Sequence, residues 1–287
     1  MSKFFIEPDV RIGSVHLKVS NLEKSLQFYE SFMGFKIVKR DATAVFLSPD
    51  GKYPYLVTLS QATLQDNFTK RAGLYHFAIL LPERKHLAVF LSHLLKHKDK
   101  VKIDGFSDHL VSEALYIRDP DNIGIEIYRD RNPSEWEWNN NSVQMTTIPL
   151  DTDNLLRESD GTWKHFPDRT TVGHVHLHVS NLENAKRFYS DILGMANTAN
   201  IQGASFFAAG KYHHHIATNT WLGENIPNAS AEVPGLEYFT IEFSDKGKFD
   251  DILNQLKSCQ IPIRKMDDGL FSISDADNIL IGLTVQQ

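Results

Sequence analysis

Histidine is the residue type that could carry chemistry in this chain. The chain has 13 histidines, and two short stretches concentrate them: His174-Val-His-Leu-His and Tyr212-His-His-His-Ile. Imidazole binds metal ions and transfers protons near neutral pH. One histidine on the inward face of a strand is more often a hydrogen-bonded structural residue, so histidines indicate a site only in combination. Serine triads, phosphate-binding loops and dinucleotide-binding glycine motifs have no convincing match.

Composition excludes several classes of protein. The 287 residues are 41% hydrophobic, which predicts one or two globular domains rather than a disordered chain. The net charge of −6 gives no basic surface for nucleic acid or an anionic membrane. Cys259 is the single cysteine, which excludes a disulfide framework and a multi-cysteine zinc site and fits a reducing compartment. Without a long apolar run, we expect a soluble cytoplasmic protein.

An internal repeat divides the sequence into two halves. The segments 13–35 and 173–195 are identical at 12 of 23 positions. Two further pairs follow in the same order, 73–79 with 235–241 and 119–126 with 275–282, so the offsets of 160, 162 and 156 are nearly constant. Such a match indicates duplication. We predict a first domain over 8–130, a linker or wrapping arm over 131–169 and a second domain over 170–287.

The periodicity within each half predicts strands and helices in a fixed order. Val15, Leu17 and Val19 alternate with polar residues, which indicates a strand with two distinct faces. Ser20 and Glu23 have the spacing of a capping box, which predicts that a helix begins at Ser20 and ends near Gly34. Short strands are predicted next, at 36–38, 44–47 and 55–59. The order recurs from residue 75, with a helix over 83–97 and strands at 114–118 and 124–128, so each half holds two βαβββ modules.

Four such modules, with an H-x-x-x-x-V-S-N-L opening and a D-P-D-x-x-x-x-E closing, resemble the vicinal oxygen chelate superfamily. This superfamily includes glyoxalases, bleomycin and fosfomycin resistance proteins and extradiol dioxygenases, and the sequence resembles the Bacillus catechol-2,3-dioxygenase type. The resemblance covers most of the chain. It implies an α+β fold of four βαβββ modules that form two barrel-like domains around a divalent metal ion.

The resemblance also indicates where metal ligands would lie. The first ligand position falls on His174 in module three and on Ser14 in module one. The second falls on His76 in module two and on Tyr238 in module four, and the third on Glu126 and Gly282 respectively. The first half therefore has the second and third ligands but lacks the first, and the second half has only the first.

Some members of the superfamily pair their modules across the duplication. If modules two and three pair, His76, Glu126 and His174 form a 2-His-1-carboxylate triad, which leaves adjacent coordination positions open on a non-haem Fe(II). The cup of modules one and four is then metal-free. Pairing within halves would leave two incomplete sites, and both halves could then be relics of metal centres.

Further residues match the extradiol pattern. His214, two places before Ile-Ala, is implied as the acid/base at the substrate, although a fourth metal ligand there is an alternative. Tyr116, ten residues before Glu126, and His109, seven before Tyr116, are implied as active-site contacts, with a sheet tyrosine and a loop histidine as the alternatives. The alternation of a strand predicts that His213 and His215 point away to the surface. His16 and His176 are interpreted as structural, with His176 the main competitor of His174, and Phe206, Phe207 and Trp221 as a candidate apolar wall.

The resemblance implies extradiol cleavage of a catechol-type small aromatic by O2. Fe(II) is the expected metal, with Mn(II), Ni(II) and Zn(II) as alternatives. Two other functions stay open: a glyoxalase-like or thiol-adduct metalloenzyme that uses no O2, and a metal-free protein that binds or sequesters a small molecule. No nucleic-acid or membrane partner is expected, and a homo-oligomer is compatible with the sequence.

Overall fold

The computed structural model describes residues 3–64, 70–230, 232–266 and 269–286. The predicted α+β class and the four βαβββ modules are confirmed. Module one contains β1, α1, β2, β3 and β4, at Arg11–Val19, Leu22–Gln27, Lys36–Arg40, Ala44–Ser48 and Val57–Gln61. Module two contains β5, α2, β6, β7 and β8, at Gly73–Leu80, Arg84–Lys96, Lys102–Asp108, Ser112–Arg118 and Gly124–Asp130.

The second half repeats this order after a connecting segment. That segment contains a 3₁₀ turn, β9, β10, β11 and α3, at Pro133–Glu135, Trp138–Asn139, Ser142–Val143, Ile148–Pro149 and Thr152–Leu156. Module three contains β12, α4, β13, β14 and β15, at Thr171–His178, Leu182–Lys186, Ala196–Ile201, Ala204–Ala208 and Ile216–Asn219. Module four contains β16, α5, β17, β18 and β19, at Gly235–Phe243, Lys246–Ser258, Arg264–Lys265, Phe271–Ser274 and Leu280–Val285.

The modules pair across the duplication. One sheet has the order β11-β6-β7-β8-β5-β12-β15-β14-β13 and joins modules two and three, and the other has the order β17-β18-β19-β16-β1-β4-β3-β2 and joins modules one and four. The central pairs β5–β12 and β1–β16 are both antiparallel. The cross-pairing that the complementary ligand losses predicted is therefore confirmed.

Strand alternation separates a core face from a concave polar face. On β12, Val175 and Leu177 are fully buried in the main hydrophobic cluster, while His174 and His176 point to the other face of the sheet. Phe77 on β5 likewise lies in that cluster, with its neighbours on the opposite face. The helices cover the core faces, so the histidines of both halves are left on the inner surfaces of the two cups.

The N-cap of α1 lies one residue later than predicted. Asn21, not Ser20, is the N-cap of α1, because its side-chain oxygen accepts a hydrogen bond from the amide of Lys24 at 2.9 Å. Asn181 caps α4 in the same way. The capping-box prediction was therefore wrong in its residue, although the helix and its end before Gly34 are confirmed. Both helices continue as π-helical segments, at Phe28–Phe32 and Arg187–Ile192.

The repeated Asp-x-Asp-Asn motifs hold the two modules of each half together. Asp119 accepts hydrogen bonds from the amides of Asp121 and Ile123, and the Tyr29 hydroxyl of module one donates to its carboxyl at 3.1 Å. Tyr189 donates to Asp275 at 2.8 Å in the second half. These motifs are structural, because they join modules that share no sheet.

The 131–169 segment wraps around the molecule. Ile148 and Pro149 pair with the edge of β6, and the Trp163 indole donates to the carbonyl of Met33 at 2.9 Å. Leu155 and Phe166 are fully buried in the main core. Within the part of the chain that the structure describes, no helix is long and apolar enough to cross a lipid bilayer.

Candidate metal centre and surrounding cavity

Three adjacent strands position the candidate ligands. β5 lies between β8 and β12, and its fully buried Ala78 is in register with both Glu126 and His174. His76 is two residues before Ala78, so its side chain leaves the same face of the sheet. The small alanine side chain leaves space among the three larger groups. The register of three strands therefore brings together residues that are 98 positions apart in sequence, from 76 to 174.

The distances within this group are those of neighbouring ligands on one ion. Nε2 of His76 lies 3.0 Å from Oε2 of Glu126, and Nε2 of His174 lies 3.1 Å from the same oxygen. One ligand atom from each residue lies within 4.8 Å of the other two. Metal–nitrogen bonds of about 2.1 Å at right angles separate two ligand atoms by about 3.0 Å. The arrangement fits a facial triad.

The chemistry of the group also fits a divalent cation. All three side chains are buried, and Nε2 of His76 and Nδ1 of His174 make no hydrogen bond of normal geometry. Burial opposes ionisation of Glu126, but the charge and hydrogen bonding of His174 and then His76 outweigh it and hold the pKa of the carboxyl well below its usual range. Burial also lowers the pKa of His174. Metal ions bind ionised carboxylates and unprotonated imidazoles, so the low pKa of Glu126 and the lowered pKa of His174 both favour a metal ion here.

Gly173, next to His174, is required by a close approach of Tyr128. A Cβ atom at position 173 would lie 1.8 Å from the Tyr128 hydroxyl oxygen and 2.7 Å from its Cζ. The β5–β12 register shifts between Val172 and His174, which places Gly173 in a bulge directly before the candidate ligand. A larger residue would displace the Tyr128 ring or the strand.

We therefore expect Gly173→Ala to lower the free energy of unfolding by about 1–3 kcal/mol, because overpacking forces either the tyrosine or the strand to move. Chemical denaturation measures the change. Gly161→Ala is the matched control, since a Cβ there meets nothing within 4 Å, and it should leave stability nearly unchanged. Equal stability of the two variants would contradict this account of the bulge.

Tyr116 and His109 lie on one side of the triad and contact each other. Tyr116 is in register with Glu126 on the neighbouring strand, and its ring lies 5.5 Å from that of His76. The Nδ1 atom of His109 donates to the carbonyl of Thr146, so its Nε2 atom accepts from the Tyr116 hydroxyl at 2.8 Å. Burial and the charge of Glu126 raise the pKa of Tyr116 well above its usual value, which keeps the phenol protonated.

His214 lies on the opposite side of the triad. Its ring centroid is 4.1 Å from that of His174, and the side chain is buried. Burial and the neighbouring His174 and His213 lower the pKa of His214 well below its usual value, so the imidazole is neutral. A neutral imidazole in a dry cavity can accept a proton from a substrate hydroxyl.

The interpretation of His213 and His215 as surface residues was wrong. The stretch from Tyr212 to His215 is a turn before β15, so strand alternation does not apply to it. His213 has no exposed surface and its Nε2 atom donates to Oδ1 of Asp130 at 2.8 Å. His215 is also buried and its Nδ1 atom accepts from the amide of Ala209. All three consecutive histidines therefore point into the protein.

His176 packs 5.0 Å from the His76 ring but bonds to a residue outside the triad. The Asn219 amide donates to its Nε2 atom at 2.9 Å, and burial lowers the pKa of His176 well below its usual value. In the other cup, Ser14 contacts Thr240, and His16 stacks on Tyr238 with a ring separation of 3.8 Å. Among the described residues, only His76, Glu126 and His174 form a group of three that could hold a metal.

A cavity of about 480 Å³ opens onto the triad. Tyr116, His109 and His214 all line it, as do Phe206 and Trp221. Phe207, by contrast, is fully buried in the main core and is not part of the apolar wall. A volume of this size is typical of sites for small organic molecules.

Arg118 and Asp104 form an ion pair at the cavity, and their charges compensate each other. Nε of Arg118 donates to Asp104, and Nη1 of Arg118 donates to the carbonyl of Asn122 at 3.0 Å. The guanidinium also lies 5.9 Å from the ring centre of Tyr75. Arg118 and Asp104 both line the cavity, so the positive charge there is already compensated.

Several site residues were missed from the sequence. Tyr128 and Asp130 follow Glu126 at intervals of two on β8, and strand alternation would have placed them on the same face. The Tyr212 hydroxyl donates to Oδ2 of Asp130 at 2.8 Å and lies 2.9 Å from that of Tyr128. Asp104 and Arg118 are ordinary surface-type residues on adjacent strands, and no sequence signal distinguished them.

Comparisons with known proteins agree with the motifs. Residues 11–127 and 171–281 match the Glyoxalase/Bleomycin resistance protein/Dioxygenase superfamily. The catechol-2,3-dioxygenase of Bacillus subtilis strain 168 is 39% identical over 277 residues, which cover 94% of this chain and 95% of that protein. The resemblance to the Bacillus catechol-2,3-dioxygenase type is therefore confirmed.

Solved structures share the fold at low sequence identity. A proposed dioxygenase from Bacillus subtilis subsp. subtilis strain 168 has a TM-score of 0.65 at 12% identity, with 98% of this chain and 86% of that chain covered. Glyoxalase I from Zea mays has a TM-score of 0.55 at 15% identity, with 96% and 92% covered. The four-module architecture is thus shared with proteins of different activity.

Proposed function

Because the chain belongs to the Glyoxalase/Bleomycin resistance protein/Dioxygenase superfamily, we propose that it is an extradiol dioxygenase that uses non-haem Fe(II) and O2 to cleave a catechol-type aromatic. The name of the 39% identical relative supports the reaction. The observation that carries the proposal is the convergence of His76, Glu126 and His174 in a cavity that also holds His214 and Tyr116.

In this proposal, His76, Glu126 and His174 hold the metal ion. When bound, Fe(II) would supply open coordination positions for both catechol oxygens and for O2. Mn(II) could fill the same role, and the same ligand set accepts Ni(II) or Zn(II). His214 is not proposed as a fourth ligand, because the ligand atoms that converge are those of His76, Glu126 and His174.

The chain's own residues would bind the ring and transfer its protons. His214 is the proposed base, because its neutral imidazole lines the cavity beside the triad. It takes a phenolic proton when the catechol binds and returns it later as an acid. When the ring binds, the protonated Tyr116 hydroxyl turns its single proton from His109 to an oxygen of the substrate. Phe206 and Trp221 form the apolar wall against the ring.

The proposal is tested by anaerobic reconstitution of the full chain with Fe(II), followed by oxygen uptake with a panel of catechols. We expect stoichiometric iron, consumption of one O2 per catechol and a ring-opened product. Reconstitution with Ni(II) or Zn(II) should give no oxygen uptake. Activity on a thiol adduct with those metals, and none on catechols with Fe(II), would favour a glyoxalase-like enzyme instead. Ligand binding that persists in a chelator without any turnover would favour a binding protein.

The compensated charge of Arg118 predicts a preference for catechols without a carboxylate. Replacing Asp104 with asparagine should release the guanidinium and raise the relative kcat/KM for a carboxymethyl-substituted catechol over unsubstituted catechol by about tenfold, or about 1.4 kcal/mol. Competition between the two substrates measures the ratio. Asp99→Asn removes the same charge from an exposed position outside the cavity and should leave the ratio unchanged. A ratio that also stays constant in Asp104→Asn would contradict the assignment.

A further inference from the structure

A hydrogen-bonded chain from His214 through His213 to Asp130 lies behind the cavity face of His214; both histidines are buried, and the Asp130 side chain is 19% exposed. Nδ1 of His214 is 2.8 Å from Nδ1 of His213, and Nε2 of His213 is 2.8 Å from Oδ1 of Asp130. Neither Asp130 nor His213 lines the cavity, so neither can touch a substrate there. Asp130 and His213 can therefore influence a substrate in the cavity only through His214.

The direction of each hydrogen bond follows from the chemistry of the partners. A carboxylate only accepts, so the Nε2 atom of His213 donates to Asp130, while the Tyr212 hydroxyl donates to the second oxygen. A neutral imidazole with a proton on Nε2 is an acceptor at Nδ1. His213 can then bond to His214 only if His214 donates from its own Nδ1 atom. The Nε2 atom of His214 is left with a free lone pair.

The surroundings hold this chain rigidly. The indole of Trp136 packs edge-on against His213 at 5.2 Å, and the ring of Tyr212 lies 4.2 Å from it. The Thr198 hydroxyl donates to the carbonyl of His213, which fixes the turn. Trp136 comes from the segment that wraps the molecule, so that segment shields His213 from solvent.

We propose that Asp130 and His213 are positioning residues that fix His214 in the tautomer whose Nε2 lone pair faces the substrate. This inference rests on the proposed role of His214 as base. A base must present a lone pair to the proton that it removes, and the opposite tautomer would present an N–H group instead. Asp130 would act like the aspartate of a Ser-His-Asp triad, which orients the histidine and does not itself become protonated.

The first test reads the tautomer directly. The full chain, with ¹⁵N-labelled histidine, is studied by NMR both without metal and loaded with diamagnetic Zn(II), and the His214 signals are assigned with His214→Gln. We expect the proton of His214 on Nδ1 and the proton of His213 on Nε2. A proton on Nε2 of His214 in the wild-type chain would overturn the proposal, whatever the reaction proves to be.

The second test separates positioning from folding. Asp130→Asn, whose amide can donate to His213 and reverse the chain, should move the proton of His214 to Nε2 and lower kcat of the Fe(II)-loaded enzyme at least tenfold. Its iron content and KM should stay within about twofold. Asp130→Glu keeps an acceptor-only group and should restore the wild-type tautomer and part of kcat, which a purely structural role would not predict.

The two tests also distinguish this inference from the proposed function. An unchanged tautomer and kcat in Asp130→Asn would contradict the positioning role. If the wild-type chain consumes no O2 with any catechol, the proposed function fails, while the tautomer of His214 still reports on Asp130 and His213. Asp99→Asn, an exposed change of the same kind, serves as the control for both measurements.

Discussion

Replacing Glu126 with glutamine is expected to abolish metal binding. The carboxylate is the one anionic member of the triad and contacts both imidazoles, at 3.0 and 3.1 Å. Loss of residues that merely support metal ligands already costs about 10–100-fold in metal affinity, so loss of this ligand should cost more. We expect His76→Ala and His174→Ala to lose metal to the same extent. Metal analysis after reconstitution and dialysis measures the loss, and oxygen uptake should fall in parallel.

Ser14→Ala is the matched control for this experiment. Ser14 occupies in module one the position that His174 occupies in module three, but its hydroxyl bonds to Thr240 and His16. The variant should therefore keep full metal content and oxygen uptake. Metal retained by Glu126→Gln or by His76→Ala would refute the assignment of the triad, as would metal loss in Ser14→Ala.

Replacing His214 with glutamine should lower kcat by about 10²–10⁴-fold, the usual contribution of a general acid or base. Glutamine keeps hydrogen-bonding groups in the cavity but cannot accept a proton. Because His214 is not among the three residues whose ligand atoms converge, iron content should not change. Stopped-flow oxygen uptake and metal analysis on the same samples give both quantities.

The exposed His165 provides a comparison for this variant. His165→Gln removes an imidazole that bonds only locally, to the carbonyl of Phe166, and should leave kcat unchanged. If His214→Gln lost its iron, the residue would be a metal ligand rather than a base. A wild-type kcat with normal iron would exclude both roles.

Much of the site could be predicted because alternation along strands is a strong constraint. His76, Glu126 and His174 each lie within a regular strand, where neighbouring apolar residues define the core face and so fix where the polar side chain points. The complementary losses between halves then indicated which modules must pair. The resemblance to the superfamily indicated the ligand positions and the repeat indicated the pairing; the structure has that pairing and brings the three side chains together.

The same rule failed where the chain is not a strand. His213 and His215 lie in a turn, and the direction of a side chain in a turn depends on backbone angles that the sequence does not reveal. The cap of α1 shifted from Ser20 to Asn21 because either side chain can accept the amide hydrogen bond, and only the exit angle of β1 decides between them. Asp130, in contrast, lies four residues after Glu126 on β8, so strand alternation alone predicts that its side chain leaves the same face.

The pairing of β1 with β16 has a consequence for synthesis on the ribosome. Arg11 and Glu242, which bond across this pair, are 231 residues apart, whereas the strands that carry the three candidate ligands are complete by residue 178. During synthesis, all the strands of modules two and three are therefore translated before β16, the partner of β1. That first strand keeps an unpaired edge in the meantime, which is the kind of surface that recruits other chains. The edge of β1 therefore stays exposed until Gly235–Phe243 has been synthesised, and its long-range pairing is expected to form slowly.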